Sequence, residues 1–550
     1  MNGLESIRRW GREDRLEAVL SRQRGWAIGG LVALAVVARL IGLDRGMWVD
    51  ELKTWMVSGG AGTCPVYSMA DMLADRFQQG HLPLYFILMR YWIGFTGPVA
   101  WAMRLPSVAL GVAGVYLLLR LGEEGYAPKV AFAGAALLAI HELDLWASQI
   151  VRMYALLSFL AIGASLQLIR LERAGRWRNW AGLFVCAVLG LLTQALFAFF
   201  MLSQIVYLLW NHGRRVYRQW KPFLAWAVAW ACAAPVWLVL KARQTQIGVK
   251  PDPGEVSPGR MFRNVTRAAV GDYRDLGYGD WMVAMAAVCM VVAAGLVLWS
   301  LFRRARLAMV AREEDKAAEG QSAAGQTAEG QWFRARALTR YVVCWVGVYL
   351  LAMFVFSDAV QNKAGSSRYY TPITGGFCLG FAAAIYLMGN WSAQWAMRAQ
   401  WVKRARYAQQ GYALLVAVTL LITAVAWWLN RGDGLWQSLE WIESRRAPGE
   451  RVLGCNAVSV GNAYRFYKPD AAQTAFVGIL RTLEKPGEAE KIEVEKTIAA
   501  NVAPGKTVWL LLYHEKESPI TKVVEKSPRF KALEKREIGD AEVFHVERVE

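Results

Sequence analysis

Apolar stretches of about 20 residues recur along the first 430 positions of this chain, and a helix needs that length to cross the hydrocarbon core of a bilayer. In lipid, every backbone N–H and C=O must be satisfied within the segment, so such stretches fold as helices. The composition agrees, with 55% apolar and only 19% charged residues. The hydropathy predicts a polytopic α-helical membrane protein with eleven spans, near 26–43, 99–121, 128–143, 152–170, 179–192, 194–210, 222–240, 281–302, 341–357, 370–389 and 411–429. The first run, Trp26 to Leu43, lacks a small-residue cleavage site and is expected to stay as a span.

The net charge of +19 raises the question of nucleic acid, and its distribution answers it. Residues 431–550 carry 19 Lys+Arg and 19 Asp+Glu, so the whole excess, 44 basic against 25 acidic, lies in residues 1–430. There the basic residues cluster between spans. With the N-terminus inside, Arg170/Arg173/Arg176/Arg178, Arg214/Arg215/Arg218/Lys221, Arg303/Arg304/Arg306 with Arg334/Arg336/Arg340, and Arg398/Lys403/Arg404/Arg406 all fall on one side, as the positive-inside rule requires. No basic face on a soluble domain exists for nucleic acid. The expected location is a bacterial inner (plasma) membrane, multi-pass, with a cytoplasmic N-terminus.

Residues 1–25 hold six arginines among Leu, Ile and Trp, the pattern of a cytoplasmic basic amphipathic segment. Residues 26–429 form the transmembrane domain, with extracytoplasmic segments at 44–98 and 241–280. The Ala/Gly/Gln/Glu-rich stretch 311–331 reads as a disordered cytoplasmic loop. Residues 430–550 alternate strand-like runs (RVLGC, TVWLLLYHE, AEVFHVER) with helix-like ones, a small α/β domain expected outside the cytoplasm. It shows no phosphate-binding glycine loop and reads as structural or acceptor-guiding. Cys186, Cys232, Cys289, Cys344 and Cys378 fall inside spans as small core residues; Cys64 and Cys455 fall outside them.

Immediately after the first span, Asp50 and Glu51 stand side by side among Trp48, Met47 and Lys53. Acids this close to the membrane are costly unless hydrated, paired or functional. Further on come Gly80-His81-Leu82-Pro83-Leu84-Tyr85, Arg104-Leu105-Pro106-Ser107, Arg152-Met153-Tyr154 and Arg368-Tyr369-Tyr370. By the predicted topology these share the extracytoplasmic edge with Arg39. Singly, each cation reads as an interface anchor. Together, Arg39, Lys53, Arg104, Arg152 and Arg368 form a cationic set on the side that the positive-inside rule depletes, and an anionic headgroup such as a polyprenyl phosphate accounts for it. A carboxylate can take the proton of an attacking acceptor hydroxyl, and the cations can stabilise the departing lipid phosphate. Direct displacement of this kind inverts the anomeric configuration.

These residues resemble a GT-C membrane glycosyltransferase of the protein O-mannosyltransferase and aminoarabinose transferase group. The resemblance rests on the Asp-Glu after the first span, the His-x-Pro-x-Tyr run, the Arg-Leu-Pro-Ser segment, the Arg-x-Tyr at the fourth span and the late Arg-Tyr, over roughly residues 26–390. It implies the GT-C fold and a polyprenyl-phosphate-linked hexosyl or pentosyl donor. It also implies a glycan, lipid or protein acceptor, and Asp50 as the catalytic carboxylate. Glu51 would bind the acceptor or hold Asp50. Lys53, His81, Arg104 and Arg368 would bind the donor phosphate, and Arg39, Tyr85, Arg152, Tyr154 and Tyr369 would line the substrate pocket. Segment 241–280 would serve as a lid. Lys53 stands where the aminoarabinose group tends to have arginine, and His81 where it has lysine. Both departures weigh against a lipid A role.

Two alternatives use similar residues. A lipid-linked glycan transporter or flippase would pass a headgroup along the cations, but such proteins place polar sites near the midplane, often in repeated halves, and no repeat is present. A glycan ligase or polymerase takes a lipid-pyrophosphate donor and usually lacks an Asp-Glu after the first span. Asp50, Glu51 and His81 can ligate a divalent ion, yet Lys and Arg stabilise a phosphate leaving group unaided. The expectation is therefore no obligatory metal and no other cofactor, a divalent ion being the less favoured alternative.

Overall fold

The computed structural model describes residues 22–59, 66–247, 264–265, 323–356, 367–398, 434–455, 457–474, 476–480, 488–513, 519–539 and 541–549. Helix α1 (Arg24–Leu40) carries the first apolar run. A helix end leaves carbonyls without intrahelical partners. Here the side-chain amide of Gln149 donates to the carbonyls of Ala38, Arg39 and Ile41 at 3.3, 2.7 and 3.0 Å. The chain turns at Gly42, whose φ of 71° suits a residue without Cβ, and passes through Gly46–Trp48 into α2 (Val49–Ser58). Helix α3 (Met69–Gln78) opens on a reciprocal cap, with the Asp71 amide donating to Ser68 Oγ and the Ser68 amide to the Asp71 carboxylate. With α4 (Leu84–Thr96), the segment between the first two long helices thus folds as short helices.

Next come α5 (Ala100–Glu123), α6 (Pro128–Ile140), α7 (Glu142–Ser148), α8 (Tyr154–Ala174), α9 (Trp177–Thr193) and α10 (Phe197–His212). A 3-10 stretch (Gly213–Gln219) leads to α11 (Trp220–Ile247). Helix α12 (Ala323–Val355), a 3-10 turn (Ser367–Ile373) and α13 (Thr374–Arg398) complete the helical part. Helix α8 lies at the centre, packed on α5, α9 and the 3-10 turn, and 83% of its apolar window is buried within the protein, against 56% or less for the other long apolar helices. Small residues let helices approach closely. A Cβ on Gly122 would lie 2.8 Å from that of Ala131, and one on Gly134 would lie 3.1 Å from Leu379, which seats α5 and α13 against α6.

The described residues recover part of the eleven expected spans. By length and apolarity, four described helical stretches qualify: Ala100–Glu123, Tyr154–Ala174, Phe197–Arg243 and Phe333–Val355. The bent pair α6–α7 makes a fifth. Helices α1 and α9 are apolar but only 17 residues long. The expected spans 194–210 and 222–240 meet through the 3-10 stretch, where Gly213 (φ 53°) interrupts the helix. The expected spans 281–302 and 411–429, the stretch 311–331, Cys64, Cys289 and nearly all of 1–25 and 248–280 lie outside the described residues. The expected span 128–143 is broken: α6 ends at Ile140, His141 adopts an extended conformation, and α7 leaves at 58°. Just beyond the break, Asp144 turns its carboxylate inward to the buried Arg39.

The C-terminal part contains α14 (Gly434–Glu443), β1 (Arg451–Cys455), α15 (Ala457–Tyr467), α16 (Pro469–Thr474), β2 (Phe476–Leu480), α17 (Glu488–Asn501), β3 (Thr507–Tyr513), α18 (Pro519–Lys526), β4 (Phe530–Ile538) and β5 (Ala541–Arg548). The strands form one sheet in the order β2-β1-β3-β5-β4, parallel across β2-β1-β3 and antiparallel across β3-β5-β4. Alternation along β3 divides its side chains. Val508, Leu510 and Leu512 join the core with Ile498 of α17 and Val524 of α18. Trp509, Leu511 and Tyr513 join the other core, which runs through α14 and α15 into α2 and the membrane helices.

Candidate functional site

Glu51 and Arg104, expected as a catalytic acid and a phosphate ligand, form a closed pair. Both are fully buried. The Arg104 Nε and Nη2 donate to the two Glu51 oxygens at 2.8 Å each, and the remaining N–H groups reach the carbonyls of Leu43 (2.8 Å), Arg45 (2.8 Å) and Gly46 (3.0 Å). Glu51 also accepts from the amides of Trp48 and Val151, both at 2.9 Å. Burial pushes the Glu51 carboxyl up, but Arg104, Arg45 and the Trp48 amide together outweigh it and hold it below the ordinary value. All five guanidinium donors of Arg104 are occupied, so binding a phosphate would break this pair. Its placement makes it the fastener of the chain leading to Asp50, and Glu51 the residue that holds that chain from within.

Arg39, expected in the substrate pocket, is likewise closed off. Its Nη2 lies 2.5 Å from Asp144, its Nε donates to Ser148 Oγ at 3.1 Å, and further N–H groups reach the carbonyls of Ala35, Leu138 and Ala139. The last two lie in the final turn of α6, where carbonyls run out of intrahelical donors, and Leu138 also accepts the His141 amide at 3.3 Å. Ser158 donates to the other Asp144 oxygen at 3.0 Å. A Cβ on Gly111 would collide with Ser148 and Arg39, so the pair needs that glycine. Arg39 is fully buried and fastens the broken helix.

Asp50 is different. It occupies the first turn of α2, where a helix N-terminus favours a carboxylate, and its side chain is 20% exposed. Arg368 Nη1 donates to Asp50 Oδ2 at 3.0 Å, and Arg152 Nη2 lies 4.0 Å from the same oxygen. Arg152 is 4% exposed and is otherwise held through Thr54 Oγ1 at 3.5 Å. The Nε atoms of both Arg152 and Arg368 are buried and have no hydrogen-bond partner among the described residues. Burial lowers the Arg368 pKa, but Tyr154, Tyr369 and Asp50 more than compensate, so it remains a cation. Lys53, one turn beyond Asp50 on α2, is half-buried and has no ion-pair partner among the described residues.

Aromatic rings enclose this group. Arg368 lies over Trp48 at 5.6 Å and over Tyr369 at 5.3 Å. Trp48 meets Trp146, Trp146 meets Tyr154, and Tyr154 meets Tyr369, with ring centroids 5.3–6.2 Å apart. On the other side, Phe86 is shared by Arg152 (6.0 Å), Arg76 (5.1 Å) and His81 (5.7 Å). Tyr85 next to it is buried, which pushes its hydroxyl pKa up. The structure thus gathers Asp50, Arg152, Arg368, Tyr154 and Tyr369 directly, sets Tyr85 and His81 alongside through Phe86, and separates off Arg39, Arg104 and Glu51. Sequence reasoning missed Arg76, Trp146 and Asp144. Arg76 is 1% exposed and paired with Asp75, and nothing in the sequence marks which face of α3 turns inward. Asp144 could have been found, with Glu142, as one of two acids that close an apolar run. Among the described residues, no three carboxylate, His or Cys side chains gather as a metal ligand set.

Residues 80–238 match the family model described as dolichyl-phosphate-mannose-protein mannosyltransferase. That range includes His81, Tyr85, Arg104, Arg152 and Tyr154 and stops short of Asp50 and Arg368. No curated protein matches by sequence. Among solved structures, ArnT from Cupriavidus metallidurans bound to undecaprenyl phosphate is similar, at 11% identity and TM-score 0.51, with 95% of this chain and 98% of that chain covered. The same protein in the apo state has 13% identity and TM-score 0.52 at the same coverage. At such identity the likeness is one of fold. The chain is a multi-pass membrane protein with the GT-C fold of membrane glycosyltransferases.

Proposed function

We propose that this protein is an inverting glycosyltransferase that moves a hexosyl or pentosyl group from a polyprenyl-phosphate donor to a hydroxyl of a glycan, lipid or protein acceptor. The carrying observation is Asp50, partly exposed and at the head of α2, beside buried Arg152 and half-buried Arg368, whose Nε atoms are buried and have no hydrogen-bond partner among the described residues. A buried cation with unsatisfied donors calls for an anion. A phosphate oxygen fits the guanidinium fork.

In this reading the Asp50 carboxylate accepts the proton of the acceptor hydroxyl as that oxygen bonds to the anomeric carbon. The bond from that carbon to the phosphate oxygen breaks, and its electron pair leaves with the polyprenyl phosphate. Arg152, Arg368 and Lys53 stabilise that charge, so the reaction is expected to persist in the presence of a chelator. Asp50 then passes the proton to water. Trp48, Trp146, Tyr154 and Tyr369 supply flat apolar walls for a sugar ring. The same reading puts the Asp50 end of the bundle, with the C-terminal sheet, outside the cytoplasm of a bacterial inner membrane, supported by the basic clusters at the opposite ends of the spans. Residues 26–429 would form the transmembrane unit and 430–550 an acceptor-guiding one. The test is transfer of label from radioactive polyprenyl-phosphate sugars in membranes holding wild type or Asp50→Asn. Label reaching an acceptor fraction only with wild type supports the assignment. Equal transfer by the variant would remove Asp50 from its role, and no transfer from any donor would sink the transferase reading.

A further inference from the structure

The chain that delivers Asp50 is gripped from both sides. From the membrane helices, Arg104 holds the carbonyls of Arg45 and Gly46 at 2.8 and 3.0 Å. From the C-terminal part, the hydroxyl of Tyr467, the last residue of α15, accepts the N–H of Met47. The next amide, Trp48, goes to Glu51. Helix α14 closes over the same stretch, since a Cβ on Gly46 would lie 2.9 Å from that of Trp436. Further along α2, Trp55 (4% exposed) meets Phe466 of α15 edge-on, with ring centroids 5.0 Å apart at 80°. Tyr467 therefore reaches Asp50 through the backbone of Met47, three residues upstream.

We propose that Tyr467, backed by Phe466, is a positioning residue. Through it α15 sets the depth and tilt of α2, and with them the reach of the Asp50 carboxylate. The inference rests on the transferase reading for its kinetic consequence. Its mechanical content stands apart: loss of the hydroxyl leaves the Met47 amide without this acceptor and should loosen residues 46–58. Misplacement of a reacting group by about 1 Å can cost about 100-fold in rate, so a single hydroxyl at this joint can matter.

The experiment uses the full-length protein in lipid nanodiscs, as wild type, Tyr467→Phe and Phe466→Leu. The expected result is faster amide hydrogen exchange across residues 46–58 in both variants, with exchange in β3 and β5 unchanged. Transfer should show kcat lowered about 10-fold and donor KM within about twofold of wild type, the signature of lost transition-state geometry. Unchanged exchange at 46–58 in both variants would overturn the inference, as would a kcat equal to wild type. Loosening of the sheet together with the loop would also overturn it, because the effect would then be general destabilisation. Local loosening in a protein whose wild type transfers no sugar would refute the transferase reading and leave the mechanical coupling supported.

Discussion

Acid–arginine pairs of two kinds stand at the same end of the helical bundle. In Glu51–Arg104 and Asp144–Arg39, every N–H of the guanidinium has an acceptor, and both partners are buried. Around Asp50, one acid faces two arginines, the carboxylate is partly open, and the guanidinium Nε atoms have no hydrogen-bond partner among the described residues. The chemistry of the residues is identical, so the difference lies in what surrounds them. Closed pairs take up backbone carbonyls that a broken helix or a tight chain leaves behind, and they hold shape. The open group keeps hydrogen-bonding capacity that no other described residue takes up.

The comparison can be broken most sharply at its two acids. Asp50→Asn should lower transfer by about 10²–10⁴-fold while melting within about 2 °C of wild type; a lowered Tm with unchanged transfer would erase the distinction. The mirror case is Arg104→Met, which strands Glu51 and three carbonyls. It should cost about 3–5 kcal/mol of stability, read as lost folded yield and Tm. At the other closed pair, Arg39→Met should cost a similar amount. The double variant Arg39→Met/Asp144→Leu should recover only part of it, since the Ala35 and Ala139 carbonyls and Ser148 Oγ lose the N–H donors that Arg39 supplied.

Arg368→Ala should reduce transfer by about 10²-fold with little change in Tm, because its side chain is 28% exposed and makes one bond to Asp50. A stability loss equal to that of Arg104→Met would place Arg368 among the closed pairs. Gly111→Ala should destabilise by about 1–3 kcal/mol, since its Cβ collides with Ser148 and Arg39.

The smallest effect concerns pH. Burial raises the Glu450 pKa, but the Thr507 hydroxyl, His545, the Ala447 amide and Trp509 together bring it to about 2. A carboxylate depressed in the folded state stabilises above its unfolded pKa, and that contribution fades as pH falls from 4.5 toward 2. Glu450→Gln should flatten this part of the Tm profile. Glu51, depressed as well, adds a loss of the same sign at the membrane-facing joint.

Much of the fold was legible because hydrocarbon imposes strict rules. The apolar runs at Ala100–Glu123 and Tyr154–Ala174 are helices for want of any other way to satisfy their backbones. The break after Ile140 was not read, because the apolar run was carried across His141 and Glu142 and the Arg39 partner of Asp144 lies 105 residues away. The Asp-Glu after the first apolar run announced itself by its cost near the membrane. Which of the two acids would be closed off could not be read there. One residue apart on a helix, they point about 100° apart, and the neighbour on each side comes from positions 53 and 318 residues away.

The sequence by itself determined the class of molecule, the end at which charge gathers and the residue types available for handling an anion. Those follow from local hydropathy and from the price of placing charge at a membrane edge. Tertiary structure decided which arginines are structural and which stay open, and it brought Tyr467 to the amide of Met47. Hydrogen-bond saturation is a property of a residue's whole surroundings, and those are assembled from segments that no local pattern connects.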